Sequence, residues 1–412
     1  MRGAVVDSRR DVPHGSVCGR HTPLSRFFSK DLTMRLASFP VRAAVASLAA
    51  LLTACASTQP STCRQTQLAY VGTEGGGIQA LRLDVCTGKL SSLGNVAQLV
   101  KPRWSVANPA RPILYVADDV GGSDGRVVAF AVDRGTGGLT KLGETDAGGL
   151  GTTHLLLDPS SSTLIAANFL SGSATTLPLN GDGSVSAVAS TVFDTGSGPT
   201  KRQAKAHAHG IAIDPSGRYA LVSDLGADRV FVYAFERSTH RLVPNNASHL
   251  EGFTAEPGSG PRHSVFSLDG RYVFVLNELS ASVVVLRWDG DAARLTPVQS
   301  QAISSVNFAG AKSGAEIALG QDGRFVYVAD RGENSLIVFQ AKPDAGELAL
   351  VQRLPTGGSL PWAFAIDPTG RWLLVANRTK VSVFRIDKAT GLLTDIGMAV
   401  ESATPLSIAF VP

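Results

Sequence analysis

The sequence KAHAHGIAIDPSGRYALVSDLGADRVFVYAF, from Lys205 to Phe235, contains the pattern from which the fold of this chain can be predicted. Short apolar runs alternate in it with Asp, Pro, Ser and Gly, the residues that tight turns use, so the pattern predicts β-strands rather than helix. It opens with His207 and His209, and its second apolar run ends at Asp224. The end of the fold on which these polar residues lie depends on how the strands are arranged.

The same pattern recurs along the chain. Consecutive copies begin 47 to 55 residues apart, and each contains an apolar strand, a turn such as DPSGR or LDGR, a second strand, a polar loop, a third strand and a weaker fourth. Self-similarity at such a period is typical of repeat architectures. The six copies begin at Trp104, His154, His209, His263, Ala315 and Trp362.

The middle strands are apolar on both faces, as in YVFVL (272–276), FVYVA (325–329) and WLLVA (372–376). A strand of this kind must be covered on both sides, which stacked or radially arranged sheets achieve. No helical period separates the strands, which argues against βαβ units. We therefore predict an all-β chain that forms a β-propeller of four-stranded antiparallel blades.

A seventh, partial copy comes first in the chain. The sequence LAYVGTEGGGIQALRLDVCTGKL, from Leu68, matches the second and third strands of a blade and lacks the first. The chain ends in ATPLSIAFVP, whose SIAFV resembles the missing strand. We expect seven blades, in a ring that the C-terminal strand closes by joining the N-terminal blade.

Strand order places the polar residues at one end. If each first strand runs from the top of the channel to the bottom, the stereotyped DPSGR-type turns lie at the bottom, and the variable loops KAHAHG, GSGPRH, NELSAS and DRGENS lie at the top. Concave openings of this kind commonly hold small molecules. His209, Arg262, Glu278 and Arg331 are the predicted catalytic residues, and His207, His263, Asn277 and Asp224 the predicted substrate-binding residues.

These residue types suit the ring opening of an ester. Glu278 or His209 is expected to activate water as a general base. Arg262 and Arg331 are expected to stabilise the oxyanion or to hold an anionic substrate. The alternative for Glu278 and Arg331 is a structural ion pair that joins neighbouring blades.

The repeat and the motifs HAHG, GPRH, NE and DRG resemble those of the seven-bladed lactonase family, which includes propeller-type 6-phosphogluconolactonases and fungal carboxymuconate cyclases. The resemblance covers about residues 67 to 412. It implies that His209, Arg262, Glu278 and Arg331 are the catalytic set, in a lactone hydrolase that opens a sugar-type lactone. One departure is at Ser162 and Thr163, where other blades carry Gly-Arg.

The N-terminal segment has a different composition. Residues 1–54 carry eight Lys or Arg and three Asp, so their net charge is +5 in a chain of +4. The excess of basic over acidic residues therefore lies in an N-terminal leader, and nucleic-acid binding is not expected. Residues 1–33 are interpreted as an N-terminal extension that results from a wrongly assigned translation start. Residues 34–54 are interpreted as a lipoprotein signal peptide, followed by a linker (55–66) and the propeller domain (67–412).

The leader ends in Leu-Thr-Ala-Cys, which looks like a bacterial lipobox. This resemblance implies lipidation of Cys55 and an export route to the cell envelope, facing the periplasm, with the outer membrane favoured because Ala56 is not an acid. Cys63 and Cys86 are expected to form a disulfide in that compartment.

The predicted partner is a small-molecule lactone or sugar acid, bound by a monomer without cofactor or metal and in contact with a membrane only through its lipid. Two alternatives remain open at this point. One is a non-catalytic envelope propeller that binds a ligand or a protein at the same mouth, and the other is a carboxymuconate-type lactonising cycloisomerase.

Overall fold

The chain falls into two units, Met1–Ser61 and Thr62–Pro412, and the second contains every strand described below. The predicted leader, Cys55 and Cys63 lie outside the described residues, so export, lipidation and the Cys63–Cys86 pairing stay predictions. Cys86 itself is disulfide-bonded. The structure, a computed structural model, describes residues 65–121, 124–243, 252–342, 344 and 346–412.

The described residues form seven antiparallel sheets, six of four strands and one of four strands with a short fifth, which confirms the predicted fold. In blade 1 the last strand of the chain joins the first three, in the order β29 (Pro405–Val411), β1 (Thr66–Thr73), β2 (Gly77–Asp84) and β3 (Leu90–Gln98). The strands of blade 2 are β4 (Pro102–Ala107), β5 (Ile113–Asp118), β6 (Asp124–Val132) and β7 (Leu139–Leu150). Those of blade 3 are β8 (Thr152–Asp158), β9 (Thr163–Asn168), β10 (Ser173–Pro178) and β11 (Ser190–Phe193).

Blade 4 follows a short 3₁₀ helix, Lys201–Gln203. It contains β12 (Ala208–Ile213), β13 (Tyr219–Asp224), β14 (Arg229–Glu236) and β15 (Arg241–Val243), and the two-residue strand β16 (Phe253–Thr254) pairs with β14. The strands of blade 5 are β17 (Pro261–Phe266), β18 (Tyr272–Asn277), β19 (Ser282–Asp289) and β20 (Arg294–Ala302). Those of blade 6 are β21 (Gly314–Leu319), β22 (Phe325–Asp330), β23 (Ser335–Lys342) and β24 (Glu347–Pro355). Those of blade 7 are β25 (Ala363–Ile366), β26 (Trp372–Ala376), β27 (Lys380–Ile386) and β28 (Leu393–Glu401).

The ring closes as the sequence predicts. β29 pairs antiparallel with β1, from Leu68↔Val411 to Thr73↔Pro405. The first strands of successive blades (β29, β4, β8, β12, β17, β21, β25) contact one another in turn, and β25 contacts β29 again. These seven strands therefore surround a central channel.

The hydrophobic core is divided among the gaps between blades. Seven clusters of buried apolar side chains each join two neighbouring blades. In β22, Val326 and Val328 pack toward blade 5, whereas Phe325, Tyr327 and Ala329 pack toward blade 7. This two-sided burial explains why the middle strands are apolar at every position. The described residues include no helix that is long and apolar enough to span a membrane.

Candidate active site

A repeated β-bulge places the first two site residues. At the start of β12 the pairing passes from Ala208 to Gly210, and at the start of β17 from Pro261 to His263. The skipped residues are His209 and Arg262. A bulge leaves one residue outside the ladder and redirects its side chain, so the two blades present these groups at equivalent points of the channel mouth.

The same bulge occurs in three other first strands. There the skipped residues are Arg103 in β4, Thr153 in β8 and Ala315 in β21. The next residue of each strand, Trp104, His154 or Glu316, therefore corresponds to His263 and to Gly210. The repeat alignment in the sequence set His209 level with His263, and this is wrong by one residue because the bulge was not visible.

Glu278 and Arg331 lie at the same end of the channel, in the loops between the second and third strands of their blades. Each is the first residue after the second strand of a blade, following β18 and β22 respectively. The structure brings both together with His209 and Arg262.

Glu278 lies at the centre of this site and is 2 % exposed. Its Oε1 accepts a hydrogen bond from Arg202 Nη1 at 2.6 Å, and the same oxygen lies 3.1 Å from Arg331 Nη2. Its Oε2 accepts one from Arg262 Nε at 3.1 Å. Burial favours protonation, but the guanidiniums of Arg262, Arg331 and Arg202 outweigh it and hold the pKa of Glu278 below its ordinary value. Glu278 is therefore a fixed anion, and a weak base.

His209 is in the opposite electrostatic state. Its Nε2 lies 4.0 Å from Glu278 Oε2, and its Nδ1 has no hydrogen-bond partner among the described residues. Burial, with Arg262 and His263 nearby, holds the pKa of His209 well below its ordinary value. The imidazole is therefore neutral at pH 7 and can accept a proton.

The arginines differ in accessibility. Arg262 is buried and its Nη1 donates to the Ala315 carbonyl oxygen. Arg331 lies over the ring of Trp362, 4.4 Å from its centroid, and Nε donates to Ser313 Oγ at 3.0 Å. Burial lowers the pKa of Arg331 to about 10, so it stays charged. The side chain of Arg202, by contrast, is 54 % exposed.

Three aromatic rings and one carboxylate form a layer across part of the channel beneath the site. Ring centroids lie 4.6 Å apart for Trp104 and His154 and 4.9 Å apart for His154 and His263, and His263 Nδ1 lies 2.9 Å from Glu316 Oε1. We call these four residues the roof. Gly210 holds the equivalent position in blade 4, where a Cβ would meet the Arg262 carbonyl oxygen at 2.3 Å.

The remaining predicted binding residues have structural contacts. His207 Nδ1 lies 2.8 Å from the Phe169 carbonyl oxygen, and its ring stacks on Phe169 at 4.3 Å. Asp224 Oδ1 accepts from the backbone N–H groups of His207 and Ala227, and Asn277 Nδ2 donates to Ser282 Oγ.

Asp224 and Asn277 also belong to a repeated position, since the second strand of five blades ends in a buried Asp or Asn and that of blade 7 is followed by one. This repetition indicates that they shape the top loops, and their direct contact with substrate stays a prediction. The six residues are Asp118, Asn168, Asp224, Asn277, Asp330 and Asn377.

Sequence reasoning missed Arg202, His154 and Glu316. Arg202 lies on the 3₁₀ turn that Gln203 anchors, through hydrogen bonds from its Nε2 to Leu225 O and Asp228 Oδ1. The cluster of basic residues in TKRQAK was the available signal for it. Within the part of the chain that the structure describes, no three His, Cys, Asp or Glu side chains are grouped to hold a metal ion.

Comparisons with known proteins find relatives that match most of this chain. The 6-phosphogluconolactonase of Bacillus subtilis (strain 168) is 33% identical over 350 residues, which are 84% of this chain and 98% of that protein. That of Formosa agariphila is 29% identical over 326 residues, 77% of this chain and 91% of the relative. The solved structure of a periplasmic gluconolactonase from Pseudomonas aeruginosa matches with a TM-score of 0.77 and 30% identity, covering 84% of this chain and 99% of that one.

The family described as "Lactonase, 7-bladed beta-propeller" matches residues 64–410. That span includes every strand of the ring except the last residue of β29, together with all four predicted catalytic residues. The chain belongs to the seven-bladed β-propeller lactonase family.

Proposed function

We propose that this protein hydrolyses a sugar-type lactone of the 6-phosphogluconolactone class at the top mouth of its channel. One observation carries the proposal: a neutral, buried imidazole with an unpartnered nitrogen lies 4.0 Å from a carboxylate that binds three guanidiniums. The site thus combines a proton acceptor with an excess of positive charge. The names of the relatives support the same class of substrate.

His209 is the general base in this reaction. It takes a proton from water as the water oxygen bonds to the lactone carbonyl carbon, and the carbonyl oxygen becomes an oxyanion. The ring C–O bond then breaks, and the imidazolium returns its proton to the departing ring oxygen. The product is a hydroxy acid. A positioned general base of this type contributes about 10²–10⁴ in rate.

Glu278 holds the guanidiniums in place instead of acting as the base. Both of its oxygens already accept hydrogen bonds from arginine, whereas His209 Nδ1 has no partner among the described residues. Arg262 and Arg331 are the charges that stabilise the oxyanion, an interaction typically worth about 3 kcal/mol when one such group is removed. Arg202, which is exposed, is suited to the anionic group of the substrate.

A lactone panel tests the function. The purified protein is expected to accelerate acid release from 6-phosphoglucono-δ-lactone or glucono-δ-lactone above the spontaneous rate in a pH-stat. His209→Asn should lower kcat by about 10²–10⁴. The matched control is His240→Asn, because His240 lies near a bottom turn, with its Nδ1 2.7 Å from Thr163 Oγ1.

Other results point to other activities. If wild type and His209→Asn both stay at the background rate while a sugar acid binds saturably, the protein is a binding propeller. If a carboxylated muconate is cyclised while the lactones are not opened, it is a lactonising cycloisomerase. Either result would contradict the proposal.

We propose further that the protein is exported and anchored by lipid at Cys55. The leader pattern supports this proposal, as does the likeness of the propeller to the periplasmic gluconolactonase of Pseudomonas aeruginosa. Wild-type protein is expected in the membrane fraction, and Cys55→Ala should release it from that fraction. Recovery of both in the cytoplasm would refute export.

A further inference from the structure

A second cavity lies in the channel on the far side of the roof from the active site. Its volume is about 360 Å³, and its lining extends from the roof along β4, β8, β17 and β21. The lining residues follow the roof residues in these strands, so the cavity lies toward the bottom of the channel. We call it the lower channel cavity. Volumes above about 300 Å³ are typical of small-molecule sites.

The walls of this cavity are mostly aliphatic. Val106, Leu156 and Val265 come from three different blades and are only partly buried, although they belong to first strands around the channel. The rest of the lining below the roof is Leu155, Leu157, Ile211 and Ile317, with two small polar residues, Ser105 and Ser264. Apolar surface left open inside a channel favours an apolar occupant, because burying it is favourable and the pocket already exists.

The roof supplies polar groups that lack partners. His154 Nδ1 and Glu316 Oε2 have no hydrogen-bond partner among the described residues, although both residues are more than nine-tenths buried. Buried polar atoms are normally paired, so each unpaired atom needs an explanation. A hydroxyl group reaching the roof would give either atom the hydrogen bond that it lacks, since a hydroxyl both donates and accepts.

The charge state of the roof disfavours anions. Burial holds the pKa values of His154 and His263 well below the ordinary value, so both rings are neutral at pH 7. Burial raises the pKa of the Glu316 carboxyl to about 7, so its charge is zero or negative. No roof residue itself carries a positive charge near neutral pH. The nearest cation in the described part of the chain is Arg262, whose Nη1 lies 3.1 Å from His263 Nδ1 and whose Nε is paired with Glu278 in the active site above.

We propose that the lower channel cavity is a second ligand site, and that it binds an uncharged aliphatic molecule with one hydroxyl group, of the medium-chain alcohol class. The aliphatic body lies against Val106, Leu156 and Val265, and the hydroxyl group meets the roof at Glu316 or His154. This site is independent of lactone hydrolysis, because its evidence and its test concern binding alone.

Binding of 1-hexanol to the purified full-length protein tests the proposal. Titration calorimetry should show saturable binding to the wild type. Leu156→Trp fills the cavity and should weaken binding at least tenfold. Leu350→Trp is the matched control, because Leu350 lies on the outer strand β24 and is already 53 % exposed. The affinity of this variant for 1-hexanol should equal that of the wild type.

The preference for an uncharged ligand is tested with hexanoate, which has the same chain length as 1-hexanol and is ionised at pH 8. It should bind at least tenfold more weakly than 1-hexanol. If Leu156→Trp fails to fold, as judged by circular dichroism, Val106→Phe fills the same cavity from another blade. The proposal is overturned if the wild type shows no saturable binding, if the filled variant binds like the wild type, or if hexanoate binds as well as hexanol.

Discussion

At the residue scale, Glu278 and His209 show how neighbours set the charge of a group. Both are buried, and burial alone would neutralise both. Three guanidiniums keep Glu278 ionised, while Arg262 and His263 add to the burial that keeps His209 neutral. Glu278, as a fixed anion, and His209, as a neutral base, therefore have different roles, although Glu278 Oε2 and His209 Nε2 are only 4.0 Å apart.

The pH dependence of the rate follows from the His209 pKa. The neutral imidazole is the active form, and its pKa lies well below 6.5, so kcat/KM should remain on its plateau as the pH falls through 6.5. The loss should begin only when the pH reaches the lowered pKa. A profile between pH 4.5 and 7.5, corrected for spontaneous hydrolysis, measures this. An acidic limb centred near 6.5 would contradict the assignment of the base.

Arg202 is expected to affect substrate binding more than chemistry. It is the exposed guanidinium of the site, so its replacement should leave the oxyanion contacts of Arg262 and Arg331 in place. Arg202→Ala should raise KM for a phosphorylated lactone by about 10-fold to 100-fold, the equivalent of one charge-assisted hydrogen bond, with a small change in kcat. Lys201→Ala, on the same turn, is the control. Equal loss of kcat and kcat/KM would instead place Arg202 in the transition state.

The sequence predicts most of the site but not all of its roles. His209, Arg262, Glu278 and Arg331 fall at fixed positions of the repeat, so their convergence follows from strand order. Arg202 belongs to an irregular loop, and no repeat rule places it. The role of Glu278 also required the structure, because only the contacts show that its oxygens are occupied by arginine.

At the scale of elements, the β-bulge is the feature that makes the site. It moves His209 and Arg262 out of their ladders and leaves the following residue to face the channel. A bulge changes the register by one residue, and neither composition nor strand period reveals that shift. This is why the strands were predicted correctly while the alignment of His209 with His263 was not.

Gly210 gives a test of the bulge. A Cβ there would lie 2.3 Å from the Arg262 carbonyl oxygen and 2.7 Å from His263 Cδ2, so Gly210→Ala must push β12 away from β17. We expect a loss of about 1–3 kcal/mol in unfolding free energy and a fall in kcat, because His209 and Arg262 would separate. Denaturant titration and steady-state kinetics measure the two effects.

Gly75→Ala is the matched control, because nothing lies within 4 Å of the position that its Cβ would occupy. It should change neither stability nor rate appreciably. If Gly210→Ala behaves like this control, β12 and β17 are not as closely packed as described.

At the scale of the whole molecule, neighbouring blades are joined by arginine contacts in addition to the apolar clusters between them. In five blades an arginine reaches the turn between the third and fourth strands of the next blade. Each contact is local, but together they repeat around the ring. The arginines are Arg82, Arg111, Arg218, Arg271 and Arg324.

Blade 3 departs from this scheme, as its sequence indicated. Ser162 takes the left-handed conformation that glycine adopts in other blades, with φ of 52°, and Thr163 replaces the arginine. Thr163 still reaches the turn of blade 4 through His240. An arginine contact is added from blade 4: Arg237 Nε and Nη2 donate to the two oxygens of Asp158, at 2.8 and 2.9 Å. The substitution is therefore compensated by an arginine that points the other way.

This reversed contact should stabilise the ring more than its counterparts do. The side chain of Asp158 is 4 % exposed, so Arg237→Ala leaves a buried carboxylate without its guanidinium. We expect a loss of about 2–3 kcal/mol in unfolding free energy. Arg218→Ala is the comparison, because its carboxylate partner Asp291 is 99 % exposed and such pairs contribute at most about 1 kcal/mol.

Gly217 ties the same contact to the backbone. A Cβ at Gly217 would lie 1.8 Å from Arg237 Cζ, so the guanidinium passes directly over this glycine to reach blade 3. Gly217→Ala should consequently lower the midpoint of unfolding, and the loss should shrink in the Arg237→Ala background because the two side chains no longer compete for space. Denaturant titration of the two single variants and the double variant measures that coupling. Strictly additive losses would mean that Arg237 joins blades 3 and 4 by a different path.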